Sequence, residues 1–246
     1  MRRIAICLLG LAVIAGPLKA DDAKTILEKA IKAHGGEEKL TKLKATQMKG
    51  KGTLSAMGMD VEFTIAISAQ LPNMMRSELG LTIMGQDLKI VRVYNGKDGW
   101  MNAMGAVMKL EGDQLDEMKE EAFDAYIESM VPLLKDKQFK LETTGERKVL
   151  DKPAVGIKVT AEGHKDVTLF FDKDTGLMVM SRKKAKDPTG TEVESDSYNL
   201  DYKDVSGTKQ PMKMLVKHDG KKFIEGKVTE IKVLESLDEK VFAKPE

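Results

Sequence analysis

The 246-residue chain is poor in the groups on which much protein chemistry rests. Its one cysteine, Cys7, lies in an N-terminal apolar stretch, which excludes a structural disulfide and a cysteine-built metal site in the rest of the chain. The three histidines, His34, His164 and His218, fall in expected turns or helix ends. No H-x-x-x-H, C-x-x-C or acidic calcium loop accompanies them, so no metal or cofactor is expected. A G-x-S-x-G nucleophile motif is absent. Gly50-Lys51-Gly52 lacks the Lys-Ser/Thr ending of a phosphate loop and reads as a flexible or twisted strand. Carboxylates are plentiful, but the local sequence pairs none of them for acid–base work, and no enzymatic chemistry is expected. Aromatics are only 5% of the chain, with one Trp. The 40 basic and 39 acidic residues are interspersed, which predicts a solvated surface pattern rather than a polybasic patch for phosphates or anionic lipid, and nothing points to nucleic acid.

The first twenty residues read as a secretory leader. Arg2 and Arg3 precede an apolar run from Ile4 to Ala15, and Ala20 is a small residue before Asp21 and Asp22. The run falls short of the roughly 20 apolar residues that span a bilayer. Cys7 lies inside it and cannot be a lipid-accepting cysteine at the start of the mature chain. The expected product is a soluble exported domain over residues 21–246, periplasmic or extracellular, without disulfide or lipid anchor. Losing Arg2, Arg3 and Lys19 leaves it with a formal charge of −2. Its core must come from burial alone.

Periodicity organises the mature chain. A helix is expected over Ala23 to Ala33, with Ile26, Leu27, Ala30 and Ile31 on one stripe and Gly35-Gly36 closing it, then a helical turn over Glu37 to Leu43. From Met57 to Ser68 the period becomes two, with Met59, Val61, Phe63, Ile65 and Ile67 on one face. Further strands are expected over 74–81 and 88–94, with Trp100 just past the turn Asn95-Gly96-Lys97. A helix over Gly112 to Met130 carries Leu115, Met118, Ala122, Tyr126 and Met130 on its apolar stripe; Asp113 is placed to cap it and Pro132 to end it. Seven strands follow, over 139–146, 154–161, 167–172, 177–182, 193–205, 212–217 and 223–234. The pattern predicts an α+β, mainly β fold: one strongly curved antiparallel sheet of about ten strands, a half-open barrel with helices covering its concave face.

The helix over Gly112 to Met130 has two readings. It packs on the sheet as an ordinary amphipathic helix, or it lids a cavity that the curved sheet cannot fill with its own side chains. Met74, Met75, Met84, Met101, Met104, Met108, Met118 and Met130 cluster around it in sequence, and methionine adapts to apolar ligands of variable shape.

Taken in order, these features resemble the periplasmic lipoprotein carriers, the LolA-like family. The resemblance rests on the leader, the N-terminal helix, Leu71-Pro72-Asn73 after the early strand, the turn Tyr94-Asn95-Gly96-Lys97-Asp98-Gly99-Trp100 and the mid-chain helices. It continues through the hairpin Phe171-Asp172-Lys173-Asp174-Thr175-Gly176-Leu177 and the ending Leu237-Asp238-Glu239-Lys240-Val241-Phe242-Ala243-Lys244-Pro245. The family implies a half-open barrel whose helices enclose an apolar cavity for lipoprotein acyl chains. Carriers commonly place an arginine before the Pro-Asn, where it helps to control the closed state, and Leu71 stands there instead.

The resemblance and the periodicity together lead to an expected ligand-binding set of Met59, Val61, Phe63, Ile65, Ile67, Met75, Leu79, Leu81, Leu115, Met118, Tyr126 and Met130. The expected partner is a lipid or a lipidated protein, with a membrane-associated donor or acceptor protein and no nucleic acid. The rival reading is an envelope module that uses the same fold to bind, scaffold or sense proteins.

Overall fold

A computed structural model describes residues 20–56, 58–83 and 85–246 of the chain. The expected leader except Ala20, together with Met57 and Met84, lies outside the described residues.

The two apolar periods produce two kinds of element. Helix α1 (Ala20–Ala33) buries Ala23, Leu27, Ala30 and Ile31, the stripe that the 3.6-residue period marks, and the shorter α2 (Glu37–Lys42) follows after Gly35 and Gly36 at positive φ. The chain then enters six antiparallel strands: β1 (Ala45–Ala56), β2 (Met59–Gln70), β3 (Met74–Ile83), β4 (Gln86–Tyr94), β5 (Gly99–Ala103) and β6 (Ala106–Leu110). Helices α3 (Gly112–Glu128) and α4 (Val131–Lys135) interrupt the strands. Seven more strands complete the sheet: β7 (Lys140–Val149), β8 (Lys152–Thr160), β9 (Val167–Asp172), β10 (Met178–Lys186), β11 (Glu192–Val205), β12 (Thr208–His218) and β13 (Lys221–Leu234). Their order in space is β6-β5-β4-β3-β2-β1-β13-β12-β11-β10-β9-β8-β7.

Three expectations need correction. Among the described residues the sheet has thirteen strands rather than about ten, because β1 and β6 are added and the segment around Trp100 forms β5. The helix expected to run to Met130 stops at Glu128. Met130 adopts φ 65°, and Pro132 opens α4 rather than ending α3, since the first turn of a helix does not need the N–H that proline lacks. Asp113 does not cap α3: Glu111 holds the cap position without a side-chain bond, and Asp113 pairs with Lys186 at 3.1 Å.

Two ion pairs measure the curvature. On α3, Glu121 meets Arg92 of β4 at 3.0 Å, and Asp124 meets Lys183 of β10. Three residues along a helix advance about 4.5 Å. Strands β4 and β10 stand seven places apart in the sheet, about 34 Å if the sheet were flat. No lysine or arginine spans that difference, so the sheet rolls until both strands face one helix. Midway between those two strands, Gly52 of β1 pairs directly with Gly226 of β13. A Cβ on Gly52 would come within 2.1 Å of the Glu225 carbonyl oxygen, and one on Gly226 within 3.4 Å of the Phe63 ring.

The main core lies where the helices sit. It joins α1, α4 and the end of α3 to β7, β8 and β9 through Leu27, Ile31, Ile127, Leu133, Ile157, Leu169 and Phe171. A smaller core packs Met118 and Ala122 of α3 on Tyr94 and Leu110. On the opposite face of the sheet, Leu237, Val241 and Phe242 of the C-terminal segment pack on Val91, Val93 and Trp100.

Candidate functional site

Register fixes which side chains look toward the helices. Tyr94 and Arg92 touch α3, and alternation along β4 puts Ile90 and Leu88 on the same side. Direct pairing carries that side across the sheet, from Ile90 to Leu79 on β3, to Ile65 on β2 and to Gly50 on β1, and likewise from Leu88 to Leu81, Phe63 and Gly52. The predicted strand residues Met59, Val61, Phe63, Ile65, Ile67, Met75, Leu79 and Leu81 therefore all share the helix-facing side. Phe63 is buried beside the paired glycines, and Met59, near the β1–β2 turn, is 53% exposed. Val61, Ile65, Ile67, Met75, Leu79 and Leu81 are half-buried and belong to none of the four hydrophobic cores.

The predicted helix residues go elsewhere. Leu115 and Met118 pack into the small core on β4 to β6, whereas Tyr126 and Met130 pack into the main core with Phe139. The structure thus places the strand set on one side of the sheet and divides the helix set between two cores. The methionines scatter as well: Met74 packs under the C-terminal segment, and Met104 is 87% exposed at the β5–β6 turn.

Beside the apolar row, the helix-facing side of β10 and β11 is polar, a feature missed in the sequence because these residues look like ordinary strand polar positions. Ser181 and Ser197 are directly paired, as are Lys183 and Ser195. Lys183 is clamped to Asp124, while burial raises the carboxyl pKa values of Asp124 and Glu128 and the phenol pKa of Tyr202. His34 at the end of α1 lies edge-on to Tyr202 with ring centroids 5.6 Å apart, and its Nδ1 is 2.8 Å from the Ala30 carbonyl oxygen; burial lowers its pKa. His164 stacks on Phe123 and bonds Glu120, and His218 stacks on Phe223. Among the described residues, no group of three or more His, Cys, Asp or Glu is arranged to hold a metal ion, and no helix is long and apolar enough to cross a membrane.

The two grooves described both open on the face away from the helices. The larger, about 1120 Å³, crosses β1 to β4 and β11 to β13. Each strand segment that lines it begins and ends with an outward residue, as with Lys49 and Thr53, Glu62 and Ala66, and Glu78 and Thr82. The second, about 870 Å³, shares Asp87 and Lys89 with it and runs beside the C-terminal segment.

No protein-family model matches the chain, and no match to its sequence is found among curated proteins. Solved structures are similar in fold. A LolA superfamily protein from Nitrosomonas europaea superposes with a TM-score of 0.57 at 13% identity, over 90% of this chain and 97% of that one. A DUF1329 family protein from Desulfovibrio piger gives 0.57 at 12% identity, over 90% and 97%. An outer membrane lipoprotein-sorting protein domain from Vibrio parahaemolyticus gives 0.56 at 10% identity, over 92% and 98%. At these identities the likeness is one of fold, and the fold of this chain is LolA-like.

Proposed function

We propose that the protein is an exported, non-enzymatic carrier or binding protein, one domain over residues 21–246 released from a leader over 1–20. It holds an apolar ligand, a lipid or the acyl chains of a lipidated protein, against the helix-facing side of its central strands. One observation carries this reading. Ile65, Ile67, Leu79, Leu81 and Ile90 form an apolar surface inside the curve of the sheet, half-buried and outside every core. Each acyl methylene laid on such a surface gains roughly 0.8 kcal/mol, so about ten of them sustain binding after the chain's ordering cost is subtracted. The LolA superfamily protein and the lipoprotein-sorting domain share the fold, which supports the class of ligand.

A protein-binding module on the same fold is the second reading. It is favoured by the full burial of Met118 and Ile127, which commits the stripe of α3 to the two cores and leaves it no ligand-facing side chain at those positions. Mass spectrometry of lipid extracted from the protein as purified from its native compartment separates the two. On the first reading lipid co-purifies, and Leu79→Ser with Leu81→Ser lowers affinity for a fluorescent fatty acid by at least about tenfold, because a buried leucine contributes about 1.5–3 kcal/mol. Unchanged affinity in the folded double variant rejects the carrier.

A further inference from the structure

The larger groove follows one row of the sheet. Lys89, Gly80, Thr64, Lys51, Lys227, Lys213 and Leu200 are successive direct partners on β4, β3, β2, β1, β13, β12 and β11, and all seven line it. Lys51, Lys227 and Lys213 therefore stand side by side on three adjacent strands. Like charges placed directly opposite each other destabilise a sheet. Lys213 is offset by Asp201 at 2.7 Å, but neither Lys51 nor Lys227 has an acidic partner within 4 Å among the described residues.

The nearby acids do not repair this. Glu78 is held by Arg76 and Lys89, Glu230 by Lys49 and Lys232, and Glu225 by Lys222 at 3.4 Å, while Asp87 accepts the hydroxyl of Thr82. Glu62 sits one alternation away, across from Thr53. The floor next to the lysines is open by construction. A Cβ on Gly80 would lie 2.6 Å from the Thr64 hydroxyl, so glycine there keeps that hydroxyl uncovered. Two unpaired ammonium groups, a third beside them, a hydroxyl donor and a floor without a side chain make a cradle for a compact polyvalent anion. A local rule broken without compensation inside a groove marks a place where a ligand supplies what the fold lacks.

We propose that the row Lys51, Lys227 and Lys213, with the Thr64 hydroxyl over Gly80, binds a phosphate-class anion, either free phosphate or the phosphate of a lipid headgroup. The site lies on the face opposite to the apolar row and does not depend on the carrier reading. Binding relieves the repulsion between the lysines, so affinity and stability are coupled in a direction that a merely structural lysine would not produce.

Thermal unfolding tests this with inorganic phosphate against chloride at matched ionic strength. Phosphate at about ten times its Kd raises the wild-type midpoint by about 2–4 °C over chloride. Lys227→Gln melts above the wild type in chloride, because one of the opposed charges is gone, and loses at least half of the phosphate increment. Lys203→Gln, on an exposed lysine outside the groove, behaves as the wild type. Co-sedimentation with phosphatidylglycerol vesicles identifies the source: vesicle binding weakened by Lys227→Gln assigns a headgroup, and a phosphate increment without vesicle binding assigns free phosphate. The proposal is overturned if phosphate and chloride act alike on the wild type with no vesicle binding, or if Lys227→Gln melts no higher than the wild type in chloride and keeps the full phosphate increment.

Discussion

Strands β9 and β2 belong to one sheet, yet five of the six residues of β9 are buried and only Phe63 is buried in the twelve of β2. Both are apolar on the helix-facing side. What differs is the cover: α1, α4 and the end of α3 lie on β7 to β9, while among the described residues Ile65, Leu79 and Leu81 of the central strands stay half-buried and outside the cores. Hydropathy thus chooses the face, and the helices choose which part of that face becomes core. The covered half holds the molecule together, and the uncovered half keeps apolar area available to a ligand.

Identical truncations on the two halves test the comparison most severely. Ile157 on β8 is fully buried among α1, Leu169 and Phe171, so Ile157→Ala costs about 2–5 kcal/mol, the lost transfer energy plus a cavity that packed neighbours cannot fill. Ile65→Ala removes the same atoms from a half-buried site and costs less than half as much. Urea midpoints of the two variants measure the difference, and equal losses would show that the halves are packed alike. A second effect belongs to the close approach of β1 and β13. Gly52→Ala sets a methyl 2.1 Å from the Glu225 carbonyl oxygen and costs about 1–3 kcal/mol through the forced backbone shift. Gly226→Ala, whose nearest side-chain neighbour is the Phe63 ring at 3.4 Å, costs less. If the two alanines were equally tolerated, the close approach of β1 and β13 would not depend on Gly52.

The same division decided what was legible in the sequence. Strand and helix periods are local, so α1, β2 and β9 could be read within a few residues, and the alternation placed Phe63, Ile65 and Leu79 on one side. The segment around Gly50-Lys51-Gly52 gave a twisted strand but not its central place in the sheet, because two glycines alternating with two lysines, Lys49 and Lys51, hide the alternation that its partners supply. Strand β6 was missed because five residues, with Met108 exposed, give too short a pattern. The helix residues illustrate the other limit. The stripe of α3 was readable, but whether Met118 meets a ligand or Tyr94 depends on how far the sheet rolls, which is set by contacts between residues distant in the chain. The polar pairs Ser181–Ser197 and Lys183–Ser195 were hidden for the same reason: each is ordinary on its own strand and becomes a cluster only across strands.

The smallest expected effect is a pH dependence centred on His34 in the covered half. Burial lowers the pKa of His34, with the Ala30 carbonyl partly opposing that shift, so the folded state resists protonation more than the unfolded chain, whose imidazole titrates near 6.5. As pH falls below about 6.5 the unfolded chain takes up the proton first, and stability is lost until the folded pKa is reached. His218 is shifted the same way, and Asp124 and Glu128 are shifted upward, so their protonation as pH falls favours the folded state and opposes the loss. The wild-type midpoint minus that of His34→Gln isolates His34, and this difference should shrink between pH 7 and pH 5.5. A difference independent of pH would remove His34 as the cause. Location sharpens the test. No histidine occurs between His34 and His164, so β1 to β6 and α3 contain none. Hydrogen exchange at pH 5.5 should therefore lose protection first in α1 and β10, where His34 packs, while β2 and β3 keep theirs. Simultaneous loss in both halves would mean that the uncovered strands are bound to the core more tightly than their exposure indicates.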